Sequence, residues 1–204
     1  MYEAFLSLKA EKQKTIINAA MTEFVKGGYE KASINDIVTA AGISKGSIFY
    51  YFKNKKYLFL YLFQYGEELI EEEFCRVLQM GERDLLSRIG NMMHGNVFLL
   101  NTHPLVFEFV RIAKQEKSEA VASEITRIKD ASMEGLQAKL MSDIDESLFK
   151  DAVNVHQAIF VITATLEKLV NQFIIDEAYS MEEVEDQTQN YLDFFRSVFY
   201  KETE

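Results

Sequence analysis

Between Ser44 and Lys56 the sequence sets the hydroxyls of Ser44, Ser47, Tyr50 and Tyr51 among four lysines, Lys45, Lys53, Lys55 and Lys56, with Gly46 near the start. Hydroxyls donate to phosphate oxygens, ammonium groups neutralise them, and a glycine lets backbone N–H groups come close. The chemistry on offer is therefore contact with a polyanion rather than bond making. Other reactive residue types form no such constellation. His94, His103 and His156 show no His-x-x-x-His spacing and have no cysteine pair beside them, which argues against zinc. A glycine-rich phosphate loop, a nucleophile elbow and the paired Glu-x-x-His motifs of a carboxylate-bridged metal enzyme are all missing. The acids Glu71, Glu72 and Glu73, then Asp143, Asp145 and Glu146, then Glu182, Glu183, Glu185 and Asp186 read as solvated helix faces and first-turn acids favoured by the helix dipole. Cys75, the lone cysteine, cannot form an internal disulfide and reads either as a small packed residue or as a redox-sensing thiol. No catalytic residue, metal or cofactor is implied, so the chain reads as a binding protein rather than an enzyme.

The elements that hold the lysine and hydroxyl cluster are helices. Ile16, Ile17, Ala20 and Phe24 recur at helical spacing over 9–26, and Gly27-Gly28 supplies a stop. Ser33 with Asp36 makes a capping start ahead of Ile34, Ile37, Val38 and Ala41, and Gly42 ends that short helix. Ser44 caps the next, through Phe52, with Ile48, Phe49 and Phe52 expected on its inner face. Two short helices joined by a tight turn make a helix-turn-helix, whose second helix is of the size that enters a major groove about 12 Å wide. Asn54 caps a longer helix to about Met80, and Lys53, Lys55 and Lys56 at its start can pin phosphates on either side of that groove. The pattern stays helical over 82–100, 104–115, 118–141, 146–175 and 181–200, about nine helices in all.

Composition agrees. The 204 residues are 48% apolar and 26% charged, with nine glycines and a single proline, too few breakers for a strand-rich fold, so the class is all-α. No apolar run is long enough to span a bilayer and no secretory leader opens the chain, which reads as cytoplasmic with no membrane partner. The net charge of −10 argues against nucleic acid as an average, but it is divided unevenly. Residues 1–56 hold nine lysines against five acids, a net +4, which leaves −14 for the remainder. A basic head on an acidic body is the charge pattern of a protein that meets nucleic acid with one part only.

The stretch Lys14, Ile17, Ala19-Ala20, Phe24, Gly28-Tyr29, Ser33-Ile34, Ile37, Ala41 to Phe52, Lys55 and Leu58 resembles the DNA-binding domain of the TetR family of bacterial transcriptional regulators. About twenty positions at fixed spacing over about 45 residues carry the resemblance, under a quarter of the chain. It implies a three-helix head over 1–53, a larger helical ligand-binding and dimerisation domain over 54–204, a homodimer, and repression relieved by a small molecule. Carried over position by position, Ser33, Ser44, Gly46, Ser47, Tyr50, Tyr51 and Lys55 fall where such proteins touch DNA, and Phe49 stands where the family often has tyrosine. No arginine precedes Arg76, so an arginine fork on guanine is excluded from this head and any guanine reading falls to Lys45.

Beyond the head, Ala158 to Ile162, Leu166, Leu169-Val170 and 173–175 make a helix apolar on more than one face. Tyr191-Leu192, Phe194-Phe195 and Val198-Phe199 make an amphipathic partner for it. Two such helices from each of two subunits would close a four-helix bundle; packing within one subunit is the other solution. Phe63, Met93, Phe98, Phe107 and Phe160 can wall an apolar cavity or simply fill a core, and Glu108 and Glu167 are either buried carboxylates able to meet a cationic ligand or surface groups. The expected function is a sequence-specific regulator, a repressor that leaves a pseudo-palindromic duplex operator when a small apolar or amphipathic effector binds. A helical ligand-binding or protein-interaction module that reads no DNA is the alternative, and the salt dependence of binding separates the two.

Overall fold

The computed structural model describes residues 2–78, 81–175 and 181–202, apart from the side chains of 77, 96, 97, 167, 170–175 and 181. Among the described residues there is no strand. The α-helices are α1 (Glu3–Leu6), α2 (Ala10–Lys31), α3 (Ile34–Ala41), α4 (Lys45–Phe52), α5 (Lys55–Leu78), α6 (Leu85–Thr102), α7 (Pro104–Gln115), α8 (Ala122–Met141), α9 (Val155–Ile175) and α10 (Met181–Phe199). The all-α expectation holds, and none of the described helices is long and apolar enough to cross a membrane. The helix end near Met80 and the turn at 178–180 lie outside the described residues.

Two compact units form, one from Met1–Glu71 with Leu100–Glu134 and the other from Glu72–Leu99 with Gly135–Glu204. In the first, α2 packs against α3 and α7 around Ile16, Ala20, Met21, Phe24, Ile37, Ile48, Phe52, Phe59, Phe63 and Phe109. The single-turn α1 is too short to show helical periodicity in sequence, yet Phe5 is fully buried, 4.8 Å from the Phe52 ring and 5.3 Å from that of Tyr61. Tyr2 adds an edge contact to Tyr61 at 4.7 Å, and burial pushes the Tyr61 phenol up to about 12. This aromatic wedge supports α4 from behind. The stop expected at Gly27-Gly28 falls where the helix breaks: Gly28 takes a non-helical backbone with φ +61°, and only a further short turn carries the run on to Lys31. Only glycine takes that backbone without strain.

At Gly66, α5 comes so close to α7 that an added Cβ would lie 2.3 Å from Val110 Cγ2. Gly66→Ala should therefore destabilise the protein by up to about 2 kcal/mol, the overpacking of as much as about 3 kcal/mol at this clash exceeding the helix-propensity gain of about 1 kcal/mol. In a Val110→Ala background the same change should be neutral or stabilising. Urea unfolding of the four proteins tests this, and a Gly66→Ala protein more stable than its parent would show that the helices do not meet there.

In the second unit, α9 turns Ala158, Ile159, Ile162, Leu166 and Leu169 toward Leu192 and Phe195 of α10 and Leu85, Leu86 and Ile89 of α6. The buried Arg88 guanidinium closes the end of α8, donating to the carbonyls of Leu140 and Ser142 as well as Glu82. Those are carbonyls the helix leaves unpaired, at its negative end. Asp84 caps α6 by accepting from Leu86 N at 2.9 Å, meets Arg196 at 2.7 Å and accepts from Tyr200 Oη at 2.9 Å. Burial pushes the Asp84 carboxyl up, but the Arg196 and Tyr200 hydrogen bonds outweigh it and hold the group below the usual carboxylate range. The helix expected to run unbroken over 146–175 is interrupted. Glu146–Leu148 is a 3-10 turn capped by Asp145, Lys150 N donates to Phe199 O, Lys201 N donates to Leu148 O, and Asn154 Oδ1 caps the start of α9. Strand-like pairing with the end of α10 satisfies that backbone, so no helix is needed there.

Candidate nucleic-acid interface

The turn between α3 and α4 is made by local chemistry. Ser33 Oγ accepts from Asp36 N at 3.3 Å and Ser44 Oγ from Ser47 N at 3.0 Å, each satisfying an orphan donor of the helix it opens. Gly42 takes a left-handed conformation with φ +61°, and Ile43 N returns to Val38 O at 3.0 Å. Lys12 of α2 reaches over to donate to Ala41 O at 2.9 Å and Gly42 O at 3.3 Å, placing a cation at the negative end of α3. Two helices are thus locked at a fixed angle with the N-terminus of α4 exposed.

On α4, Ile48 and Phe52 point inward and are buried, four residues apart on one face. Phe49, expected with them, is 39% exposed, because one residue turns the helix about 100° away from that face. Tyr50 is 75% exposed. Tyr51 is half-buried and packs its ring 6.1 Å from that of Phe5, so its ring belongs to the core edge. Ser44, Lys45 and Gly46 are exposed and Ser47 is half-exposed, its hydroxyl 2.8 Å from that of Ser44. A Cβ built at Gly46 would meet only Ser44 Oγ, at 3.6 Å, so nothing within the free protein requires glycine there. Lys53 closes α4 with φ +62°, an uncommon conformation for a lysine, and is exposed.

Lys55 and Lys56, expected to reach for phosphates, are held within the chain. Lys55 Nζ donates to Glu30 O at 2.9 Å and lies 5.1 Å from the centre of the Tyr29 ring. Glu116, at the end of α7, accepts from Tyr29 N, Lys117 N and Ser118 N, and Ser118 Oγ donates to Glu30 Oε1. Burial pushes the Glu116 carboxyl up, and the three N–H donors with nearby Lys55 pull it below its usual range. Lys56 pairs with Glu124 of α8 at 2.6 Å. The sequence carried no sign of these acids, since Glu116 and Glu124 lie some sixty residues or more from their partners.

The residues expected to wall a ligand cavity are divided between the two units. Phe63 is fully buried in the core of the first unit, Phe107 is half-buried on α7, and Glu108 pairs at 2.6 Å with Arg111 one turn on, which leaves it no unpaired buried charge for a cation. In the second unit Met93 lines a cleft of about 220 Å³ between α6 and α10 with Gly90, His94, Thr188 and Leu192, whereas Phe98 is exposed. Phe160 is 72% exposed on α9, and the Glu167 side chain lies outside the described residues.

Phe160 is one of several exposed apolar residues on α9 and α10. The paired residues of α10 divide between two faces: Leu192, Phe195 and Phe199 turn to the core, while Tyr191, Phe194 and Val198 turn outward at i, i+3 and i+7, and Phe160 and Val161 of α9 are exposed as well. Both helices of the pair therefore carry apolar residues on opposite sides.

A helix-turn-helix with a basic, hydroxyl-bearing exposed helix, followed by helices with an uncovered apolar face, defines the class of helical DNA-binding regulators. Residues 16–62 match the family model described as bacterial regulatory proteins, tetR family. The chain is 24% identical over 180 residues to the fatty acid metabolism regulator protein of Bacillus subtilis, covering 85% of this chain and 89% of that one. It is 38% identical over 77 residues to the probable acrEF/envCD operon repressor of Escherichia coli, 35% of each chain. Among solved structures it resembles the transcriptional regulator FadR from Bacillus subtilis in complex with stearoyl-CoA, with TM-score 0.61 and 20% identity over 90% of this chain and 97% of that one. Residues 16–62 thus carry the DNA-binding region of the tetR family of bacterial regulatory proteins, and these similarities make the chain a DNA-binding transcriptional regulator.

Proposed function

We propose that the protein is a cytoplasmic repressor, not an enzyme, that binds a pseudo-palindromic duplex operator as a homodimer and leaves it when a small amphipathic molecule occupies its helical domain. The observation that carries the operator reading is the exposed N-terminal half of α4, where Lys45, Gly46, Ser47 and Tyr50 stand free of the core around a backbone that can approach phosphate. Ser33, Ser44, Tyr51 and Lys55 act mainly by holding α3, α4 and α5 in place, given the caps and ring contacts they make, and add phosphate contacts at their exposed edges. The homodimer forms through the outward faces of α9 and α10, and symmetric proteins read symmetric sites. For the effector, the relative named for fatty acid metabolism and the solved regulator holding stearoyl-CoA favour an acyl chain with a polar head. Effector binding acts through α5, which leads directly from the recognition helix. Half-sites lie about 34–36 Å apart per turn of DNA, so a shift of a few ångströms between recognition helices is enough to lose one groove.

The test uses duplexes selected from random-sequence DNA. Tyr50→Ala should weaken binding about tenfold or more, since a base or phosphate contact is worth about 1–3 kcal/mol, while leaving thermal unfolding unchanged. Gly46→Ala should weaken it too without loss of stability, because in the free protein its Cβ makes only an ordinary contact with Ser44 Oγ at 3.6 Å. Unchanged binding by both variants would remove α4 from the interface, and an affinity insensitive to salt would favour the protein-interaction alternative.

A further inference from the structure

Lys56 stands two residues past the loop that ends the recognition helix, in a run of cations otherwise suited to phosphate, yet its ammonium is held by a carboxylate of the same chain. Glu124 comes from the first turn of α8, where the helix dipole favours an acid, and its carboxyl is held below the usual range first by the Lys56 hydrogen bond. Both side chains are about a third exposed and face a cleft of about 390 Å³ that also takes in Asn54, Tyr57 and Arg127. Arg127, one turn along α8 from Glu124, is exposed.

We infer that Glu124 is an affinity-setting residue of the DNA interface: it occupies Lys56 as a phosphate would, so operator binding exchanges a carboxylate for a DNA phosphate on that ammonium. This rests on the operator reading given above. The exchange is balanced in charge. Lys56 passes from one anion to another, and Glu124, released, has Arg127 at the i+3 position to pair with, the spacing at which side chains meet on a helix. A surface ion pair is worth little on its own, so the cost of the exchange is small and the effect tunes affinity rather than abolishing it. The acid also sits on the segment that follows α7, beside Glu116 and Ser118, which grip Tyr29 and Glu30 next to Lys55. Lys55 and Lys56 are thus engaged by, or next to, groups of the 116–124 segment.

The experiment measures binding of the selected duplex by fluorescence anisotropy across a salt series for wild type, Glu124→Gln, Lys56→Gln and the double variant. Glu124→Gln should tighten binding three- to tenfold at low salt. Lys56→Gln should lower the slope of log K against log salt by about 0.9, the value for one phosphate contact. In the Lys56→Gln background, Glu124→Gln should have less than a twofold effect. Equal tightening in both backgrounds would mean that Glu124 only repels DNA at long range, and no tightening would make the pair purely structural; either result overturns the inference. Thermal unfolding of the four proteins checks that the exposed substitutions leave the fold intact. Wild type that binds no selected duplex at all would instead overturn the operator reading itself, an outcome distinct from wild type that binds and a Glu124→Gln variant that binds equally.

Discussion

Phe194→Glu, with Phe160→Glu as its counterpart on α9, is expected to turn the protein into a monomer and to lower its affinity for a palindromic duplex by a hundredfold or more. Phe194 is 57% and Phe160 72% exposed, so neither substitution removes packing that the unit needs for itself. In a dimer closed by a two-fold axis each change acts twice. Burying a phenylalanine is worth about 1.5–3 kcal/mol, and an unpaired carboxylate forced into an apolar interface adds a desolvation penalty of several kcal/mol. Loss of the dimer leaves each head with one half-site, and the second half-site's contribution to binding goes with it. Sedimentation velocity at micromolar concentration and anisotropy with the selected duplex read the two effects. A Phe194→Glu protein that remains dimeric would place the interface elsewhere, and a monomer with undiminished affinity would show that the operator is read by one head.

The division of α10 into two faces explains what the sequence could and could not convey about this surface. Doublets such as Tyr191-Leu192 and Phe194-Phe195 signal a wide apolar face, but which member turns inward depends on where α9 and α6 lie. The helix-turn-helix was far more legible, because its determinants are local: the Ser33 and Ser44 caps and the left-handed Gly42 lie within a few residues of the backbone they fix. Phe49 shows the limit of reading by residue type: an aromatic side chain suggests the inner face, but the 48 and 52 spacing already fills it. Long-range polar partners left no trace in sequence. The pairing of Lys56 with Glu124, and of Arg88 with the carbonyls that end α8, requires the chain to have folded first. The α1 wedge is illegible in sequence for another reason: one turn of helix has no period, and only the burial of Phe5 reveals it.

Phe59→Ala is expected to remove about 3–5 kcal/mol of stability, a large part of the roughly 5–15 kcal/mol that a domain of this kind has in total. Phe59 is fully buried on α5, and its ring lies 4.9 Å from that of Phe24 on α2, 5.2 Å from that of Phe109 on α7 and 5.4 Å from that of Tyr29 beyond the Gly28 kink. Three of the four contacts are near-perpendicular or edge arrangements when Phe24 with Phe109 is included, a geometry that adds to the burial of area. Truncation empties the centre of this cluster, and surrounding rings cannot fill it without leaving their own partners. Phe59→Leu, which keeps most of the volume, should cost less than half as much. Because the cluster lies in the same unit as the helix-turn-helix, DNA affinity should fall in Phe59→Ala in proportion to the unfolded fraction and recover on cooling toward the temperature of maximum stability. Urea unfolding followed by far-UV circular dichroism, alongside duplex binding, gives both readouts. A loss below about 1 kcal/mol would mean that the site collapses around the deletion, and so that Phe24 and Phe109 are not held by the packing that joins α2, α5 and α7.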